Sequence, residues 1–212
     1  MNNLGNSLLT CFEHLGELGD IKKVILTLED AVRLMPDGQA DKPSRLNNLG
    51  NLLLTCFKCL GELEDIKGTI LSLEHAVGLM PNGHPDKPRK LNNISNSLSR
   101  HFSCLSEMGD IEKAISCLED GILLMPNGHP YKPSRLSNLR NSLLTCFEHL
   151  GRLEDIEEVI SILEYAVQLT PGGHTDKPRQ LNNLGNSLSK CFSYLGKMGD
   201  IEMVISCLED AV

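Results

Sequence analysis

Eight cysteines, seven histidines and a recurring cluster of carboxylates are the groups in this 212-residue chain whose types and spacing could carry chemistry. Zinc is held by thiolates and imidazoles when two closely spaced pairs converge. The chain has one such pair, Cys56-Phe57-Lys58-Cys59, and no second C-x-x-C to complete a site. Cys11, Cys56, Cys146 and Cys191 fall at multiples of one spacing, with His101 in the remaining place; Cys59 and Cys104 share a second register, and Cys117 and Cys207 a third. Copies of single helix positions read as buried or half-buried free thiols in a reducing compartment. His84, His129 and His174 recur once per spacing, with Gln39 as their counterpart. Packed neighbours would hold them about 10 Å apart, too far to share a metal, so a hydrogen bond within a connector is the expectation. Glu62, Glu64 and Asp65 suggest paired acid–base carboxylates. The aspartate recurs as Asp20, Asp110, Asp155 and Asp200, and acidic residues opening a helix need only its dipole. No phosphate loop, nucleophile elbow or metal-ligand spacing occurs. The Asn93-Ile94-Ser95 sequon lies inside a helical pattern with no export signal. The expectation is therefore a non-catalytic chain with no metal and no cofactor.

The elements that position these residues come from one repeated phrase. Met1, Leu46, Leu91, Leu136 and Leu181 open copies 45 residues apart, giving units 1–45, 46–90, 91–135, 136–180 and a partial 181–212 in a single array. Residues 1–45 and 46–90 agree at 30 of 45 positions. In the second copy Leu46, Leu49, Leu53, Phe57 and Leu60 form one apolar helical stripe, helix A, with Pro43 in its first turn and Gly61 at its stop. Helix B carries Ile66, Ile70, Leu73, Val77 and Met80, is preceded by acidic residues, and ends at Pro81-Asn82-Gly83. The segment PNGHPDKP cannot continue a helix and serves as an ordered connector. A lone hairpin cannot bury its apolar face, whereas stacked copies can.

Composition agrees with that plan. Hydrophobic residues make up 41% of the chain, aromatics 4%, and there is no Trp, so the core must be aliphatic. The net charge of -8 argues against a nucleic-acid partner. No apolar run reaches the ~20 residues of a membrane span, and the N-terminus lacks signal-peptide regions; a soluble, cytoplasmic chain is expected.

Asn48-Leu49-Gly50-Asn51, Asp65, Thr69-Ile70, Leu73, Ala76 and Pro81 together resemble the tetratricopeptide (TPR) signature. The small slot at Thr69 is Ala114 in the third copy, and that at Ala76 recurs as Ala31, Gly121, Ala166 and Ala211. The extra residues relative to the 34-residue TPR motif divide into seven in helix A, about two turns, and four in the connector. HEAT and armadillo repeats share the period but not these offsets. The connector also resembles the lengthened repeats of kinesin light chain, and the phrase is similar to arrays in fungal multidomain proteins carrying caspase-like or nucleotide-binding domains. The resemblance implies an all-α, right-handed superhelical solenoid of tandem helical hairpins. One position departs from the pattern: the small slot of Gly5, Gly50 and Gly185 holds Ser95 and then Arg140. An arginine there predicts a guanidinium reaching outward and a local irregularity.

The resemblance further implies that helix A lines the binding face. Asn47, Asn48, Asn51, Asn92, Asn93, Asn96, Asn138, Asn141, Asn182, Asn183 and Asn186 then form a ladder able to grip the backbone of a peptide or partner helix. Bonds among these side chains across copies are an equal alternative. The lysine slot of carboxylate-clamping TPRs holds Asn2, Asn47, Asn92, Ser137 and Asn182, so that clamp is incomplete; Arg45, Arg89, Lys90, Arg135 and Arg179 read as solvated helix-entry residues. Two functions follow: a protein-interaction scaffold, or a sensor array regulating a caspase-like or nucleotide-binding domain elsewhere in a longer protein. Both ends cut the repeat, which predicts a truncated product, a piece of a longer protein, or end-to-end self-association.

Overall fold

A computed structural model describes residues 18–170, 173 and 177–195. Cys11, Cys207, His174 and Asp200 lie outside them, as does the side chain of Asp20. Eight helices and no strand occur among the described residues: α1 (Leu18–Leu34), α2 (Lys42–Leu60), α3 (Leu63–Gly78), α4 (Lys87–Leu105), α5 (Met108–Leu123), α6 (Lys132–Leu150), α7 (Leu153–Leu169) and α8 (Lys177–Leu195). The even-numbered helices are the A helices and the odd-numbered ones the B helices expected from the repeat.

Each A helix begins on a Lys-Pro pair. Proline there has no N–H to leave unsatisfied and a φ already set for a helix. At the other end Gly61 and Gly151 turn left-handed, with φ of 73° and 66°. Their N–H groups reach Phe57 O and Phe147 O at 2.8 Å, closing the last turn. Ser106 takes the same left-handed role in the third copy at φ 56°, with a 2.7 Å bond to Phe102 O. The B helices open on Glu64 and Asp65, on Asp110, and on Glu154 and Asp155, where the helix dipole favours negative charge.

The connectors are ordered by their own side chains. His84 Nδ1 accepts the Asp86 N–H at 3.1 Å and His129 Nδ1 the Tyr131 N–H at 3.2 Å, the connector bonds anticipated for these histidines. The lysine of each Lys-Pro pair then folds back across the connector. Lys42 Nζ donates to Met35 O (2.7 Å) and Asp37 Oδ1 (2.6 Å), Lys132 Nζ to Met125 O (3.3 Å) and Asn127 Oδ1 (3.0 Å), and Lys177 Nζ to Thr170 O (2.9 Å). An ammonium at the end of a B helix satisfies carbonyls the helix leaves open and opposes its negative pole.

The chain divides into two compact units, residues 1–107 and 108–212, with the boundary between the two helices of the third copy. In the first unit, α2 packs on α1 and α3, and α3 on α4. Ile66, Thr69, Leu73 and Ala76 of α3 are essentially inaccessible, and Thr69 Oγ1 donates to Gly50 O at 3.2 Å across the hairpin. In the second unit α6 packs on α5 and α7, and α7 on α8, around Leu139, Leu143, Phe147, Ile156 and Leu188. The cores are mainly aliphatic, with Phe57, Phe102 and Phe147 as buried aromatics that the composition alone did not point to; each buried leucine or isoleucine contributes about 1.5–3 kcal/mol.

Polar contacts between successive copies change their chemistry from one unit to the other while keeping their place. Lys22 pairs with Glu62 at 3.3 Å in the first unit, and the equivalent pair in the second is Glu112 with Arg152 at 3.4 Å, its charges exchanged. Likewise Lys42 and Asp37 meet His75 (Nε2 to Oδ1, 3.6 Å), whereas Lys132 and Asn127 meet Tyr165, whose hydroxyl bonds Asn127 Oδ1 at 3.0 Å. Exposed pairs of this kind are worth under about 1 kcal/mol each.

Candidate functional site

On each A helix the residues facing away from the apolar stripe recur at spacings of three, four and three. In the first unit these are Asn48, Asn51, Thr55 and Lys58 on α2, and Asn93, Asn96, Arg100 and Ser103 on α4. In the second they are Asn138, Asn141, Thr145 and Glu148 on α6, and Asn183, Asn186, Lys190 and Ser193 on α8. Asn51, Asn96, Asn141 and Asn186 are exposed, one in each described A helix; Asn48 is exposed, and Asn93, Asn138 and Asn183 are half-buried. Thr55 and Thr145 return their hydroxyls to the Asn51 and Asn141 carbonyls, at 3.0 and 2.9 Å, so their methyl and backbone geometry is fixed beside the ladder.

Asn47 and Asn92 do not belong to this surface, although the sequence placed them in the ladder. They are 5% and 4% exposed. At 100° per residue, position 47 falls about 60° beyond Gly50, at the edge of the apolar face, and the buried face is wide enough to take it in. Asn47 Oδ1 has no hydrogen-bond partner there. Their counterpart Asn182 is exposed, so one repeat position has two environments.

Sequence reasoning omitted the charged members of the stripe. Lys190 Nζ donates to Glu148 Oε1, joining α8 to α6 across neighbouring copies. The repeat equivalents in the first unit are Arg100 and Lys58, both cations and both exposed. Their signal was present: each lies seven residues after Asn93 or Asn51, on the same helical face.

Arg140 behaves as its misfit position requires. It is half-buried, its Nε is enclosed without a partner, and its Nη2 reaches out to Asn141 Oδ1 at 2.6 Å. Burial, with the nearby Arg179 cation, lowers its pKa below the usual guanidinium value. At the same slot in α2, a Cβ on Gly50 would lie 3.0 Å from Leu73 Cγ.

The groups that suggested chemistry have structural partners. Arg152 donates from Nε to Asp155 Oδ2 at 3.1 Å and from Nη2 to the Cys146 Sγ at 2.7 Å. Burial raises the Cys146 thiol pKa, and raises that of Cys56 to about 11, keeping both protonated at neutral pH. Cys56, Cys146 and Cys191 are buried and Cys117 is half-buried, as expected, whereas Cys59 and Cys104 are exposed, contrary to the expectation of buried or half-buried thiols. Both cysteines of the C-x-x-C are free.

No helix among the described residues is long and apolar enough to cross a membrane. No family model and no curated protein matches the sequence. Solved structures do match. The chain is similar to the nearly identical TPR-like repeats of a Podosopora anserina protein assigned as a kinesin light chain, with TM-score 0.62 and 12% identity, over 98% of this chain and 92% of that one. It is also similar to MamA, with TM-score 0.58 and 15% identity over the same shares. At such identities the likeness is one of fold. All-helical, built of tandem hairpins with small residues in the packing slots, and matched by these structures over 98% of its length, the chain has a TPR-like helical-repeat fold.

Proposed function

We propose that this chain is a non-catalytic protein-interaction scaffold, a single array that holds a peptide or partner helix along the outward stripe of its A helices. The observation that carries the reading is the recurrence of an exposed asparagine at one place in every described A helix, Asn51, Asn96, Asn141 and Asn186. A primary amide offers a donor and an acceptor at once, the complement of a peptide unit, and does so whatever side chains the peptide carries. In the first unit Lys58 and Arg100 add positive charge to the same stripe and favour a peptide bearing carboxylates. Cys56, Cys146 and Cys191 are packed in the core, and Glu62, Glu64 and Asp155 stand in ion pairs, which supports a scaffold over an enzyme. TPR-like structural neighbours point the same way.

The test is selection of a random peptide library on the full chain, with the recovered peptides measured by calorimetry against Asn51→Ala/Asn96→Ala. Loss of two amide contacts should weaken binding about tenfold or more. Peptides that bind the double variant as tightly as the parent would sink the proposal.

A further inference from the structure

The second unit carries a groove on its B-helix side, away from the asparagine stripe. It has a volume of about 750 Å³ and runs between the C-terminal half of α5, the following connector and α7, with α6 as its floor. Met125, Leu136 and Leu139 are buried at the bottom; Ile122, Ile162 and the Tyr165 ring form the walls. Leu123 stands on the lip, 82% exposed.

The repeat shows that this surface is particular to its copy. The position of Leu123 is Arg33, Gly78 and Gln168 in the other copies; that of Ile162 is Thr27, Ser72 and Cys117; that of Tyr165 is Asp30, His75 and Asp120. The groove's apolar groups thus replace polar residues or glycine at three positions of a scaffold that is otherwise repeated. A leucine left in water forgoes about 1.5–3 kcal/mol of burial, which an apolar side chain seated in the groove would recover in part.

The rim gives the charge of what fits. Glu119 and Asp120 line the groove, and Glu158 lies close enough to raise the Glu119 pKa, after burial and ahead of Asp120. The helices on either side, α5 and α7, carry nine Asp or Glu residues and one lysine between them. The cation lining the groove, Lys132, is held by Met125 O and Asn127 Oδ1 at the end of α5. An anion would meet repulsion here, and a purely apolar segment would bury carboxylates without partners.

We propose that this groove docks a cationic amphipathic segment of a partner protein, its apolar side chains entering against Leu123, Ile162 and Tyr165 and its lysines or arginines meeting Glu119, Asp120 and Glu158. Helix-in-groove binding of this kind reads apolar anchors on one helical face and charge on the flanks. The site is separate from the A-helix stripe and would let one chain hold two partners.

The probes are a Leu/Lys amphipathic peptide of about four helical turns and its Leu/Glu counterpart, titrated by fluorescence anisotropy against the full chain. We expect one-to-one binding of the Leu/Lys peptide that weakens with added salt, and binding at least about tenfold weaker for the Leu/Glu peptide. Leu123→Gln and Glu119→Lys/Asp120→Lys should each weaken the Leu/Lys peptide about tenfold, whereas Glu29→Lys/Glu64→Lys, with the same change in net charge, should leave it within about twofold. Circular dichroism shows whether each variant keeps its helices, and the Leu123→Gln change, at an exposed position, does not threaten the core. Equal losses in both charge-reversal variants would reduce the effect to net charge and overturn the proposal. A concentration-dependent dimer abolished by Leu123→Gln would make the occupant a second copy and also overturn it. Asn51→Ala/Asn96→Ala should bind the Leu/Lys peptide unchanged, so this site and the A-helix stripe fail or stand separately.

Discussion

Replacing Gly50 by alanine adds one methyl group where α2 crosses α3. A Cβ there would stand 3.0 Å from Leu73 Cγ, 3.2 Å from Leu73 Cδ2 and 3.3 Å from the Thr69 carbonyl oxygen. Carbon atoms pack at about 3.5–4.0 Å, so the helices must separate by several tenths of an ångström. Leu73 is fully enclosed and the Thr69 carbonyl is fixed in its helix, so neither can move alone. Overpacking of this kind costs about 1–3 kcal/mol. Separation also lengthens the 3.2 Å contact of Thr69 Oγ1 with Gly50 O, a minor loss because the same hydroxyl donates to Asp65 O at 2.8 Å. The gain in helix propensity offsets about 1 kcal/mol, leaving a net loss of up to about 2 kcal/mol. Gly68→Ala is the control. Its Cβ would meet only the Leu53 side chain, Cδ1 at 3.1 Å and Cδ2 at 3.8 Å. Those terminal methyls can rotate, so propensity wins and the variant should be neutral or up to about 1 kcal/mol more stable. Urea unfolding followed by circular dichroism gives the global difference. Because repeat arrays can unfold copy by copy, the labelling rate of Cys56, buried in α2, gives the local one. A Gly50→Ala protein as stable as Gly68→Ala, with no faster labelling of Cys56, would refute the claim that close helix approach requires glycine here.

Lys42→Met should destabilise the first unit by about 1–3 kcal/mol in urea unfolding, because it leaves the Met35 carbonyl open at the end of α1. It should also change the acid limb. Lys42, by hydrogen bond and charge, holds the Asp37 carboxyl below the ordinary carboxylate pKa. That contribution is present above the unfolded value and lost as pH falls through the lowered folded one, so the variant's stability should fall less on acidification. Site-resolved alkylation followed by mass spectrometry should find Cys59 and Cys104 modified in the native protein, and Cys56, Cys146 and Cys191 only after unfolding. Rapid native modification of Cys146 would contradict its engagement by Arg152.

The sequence by itself determined the repeat, the helix pairs and their ends. Those depend on local chemistry: Pro43 presets the first turn, Gly61 accepts a left-handed φ, and Leu46, Leu49 and Leu53 return to one face every turn. It also identified Arg140 as a misfit, because one position of a repeat states the space available at all of them. What the sequence could not decide depends on how far burial spreads around a helix and on what neighbouring copies bring. Asn47 and Asn51 differ by one turn and read alike, yet one is enclosed beside Leu46 and the other faces solvent. The repeat pattern gave the connector lysines no role, and only the return of the chain to the ends of α1 and α5 supplied the carbonyls that hold Lys42 and Lys132. The groove beside Leu123 likewise needed residues from α5, α6 and α7 to meet, a product of tertiary packing that no single helix pattern encodes.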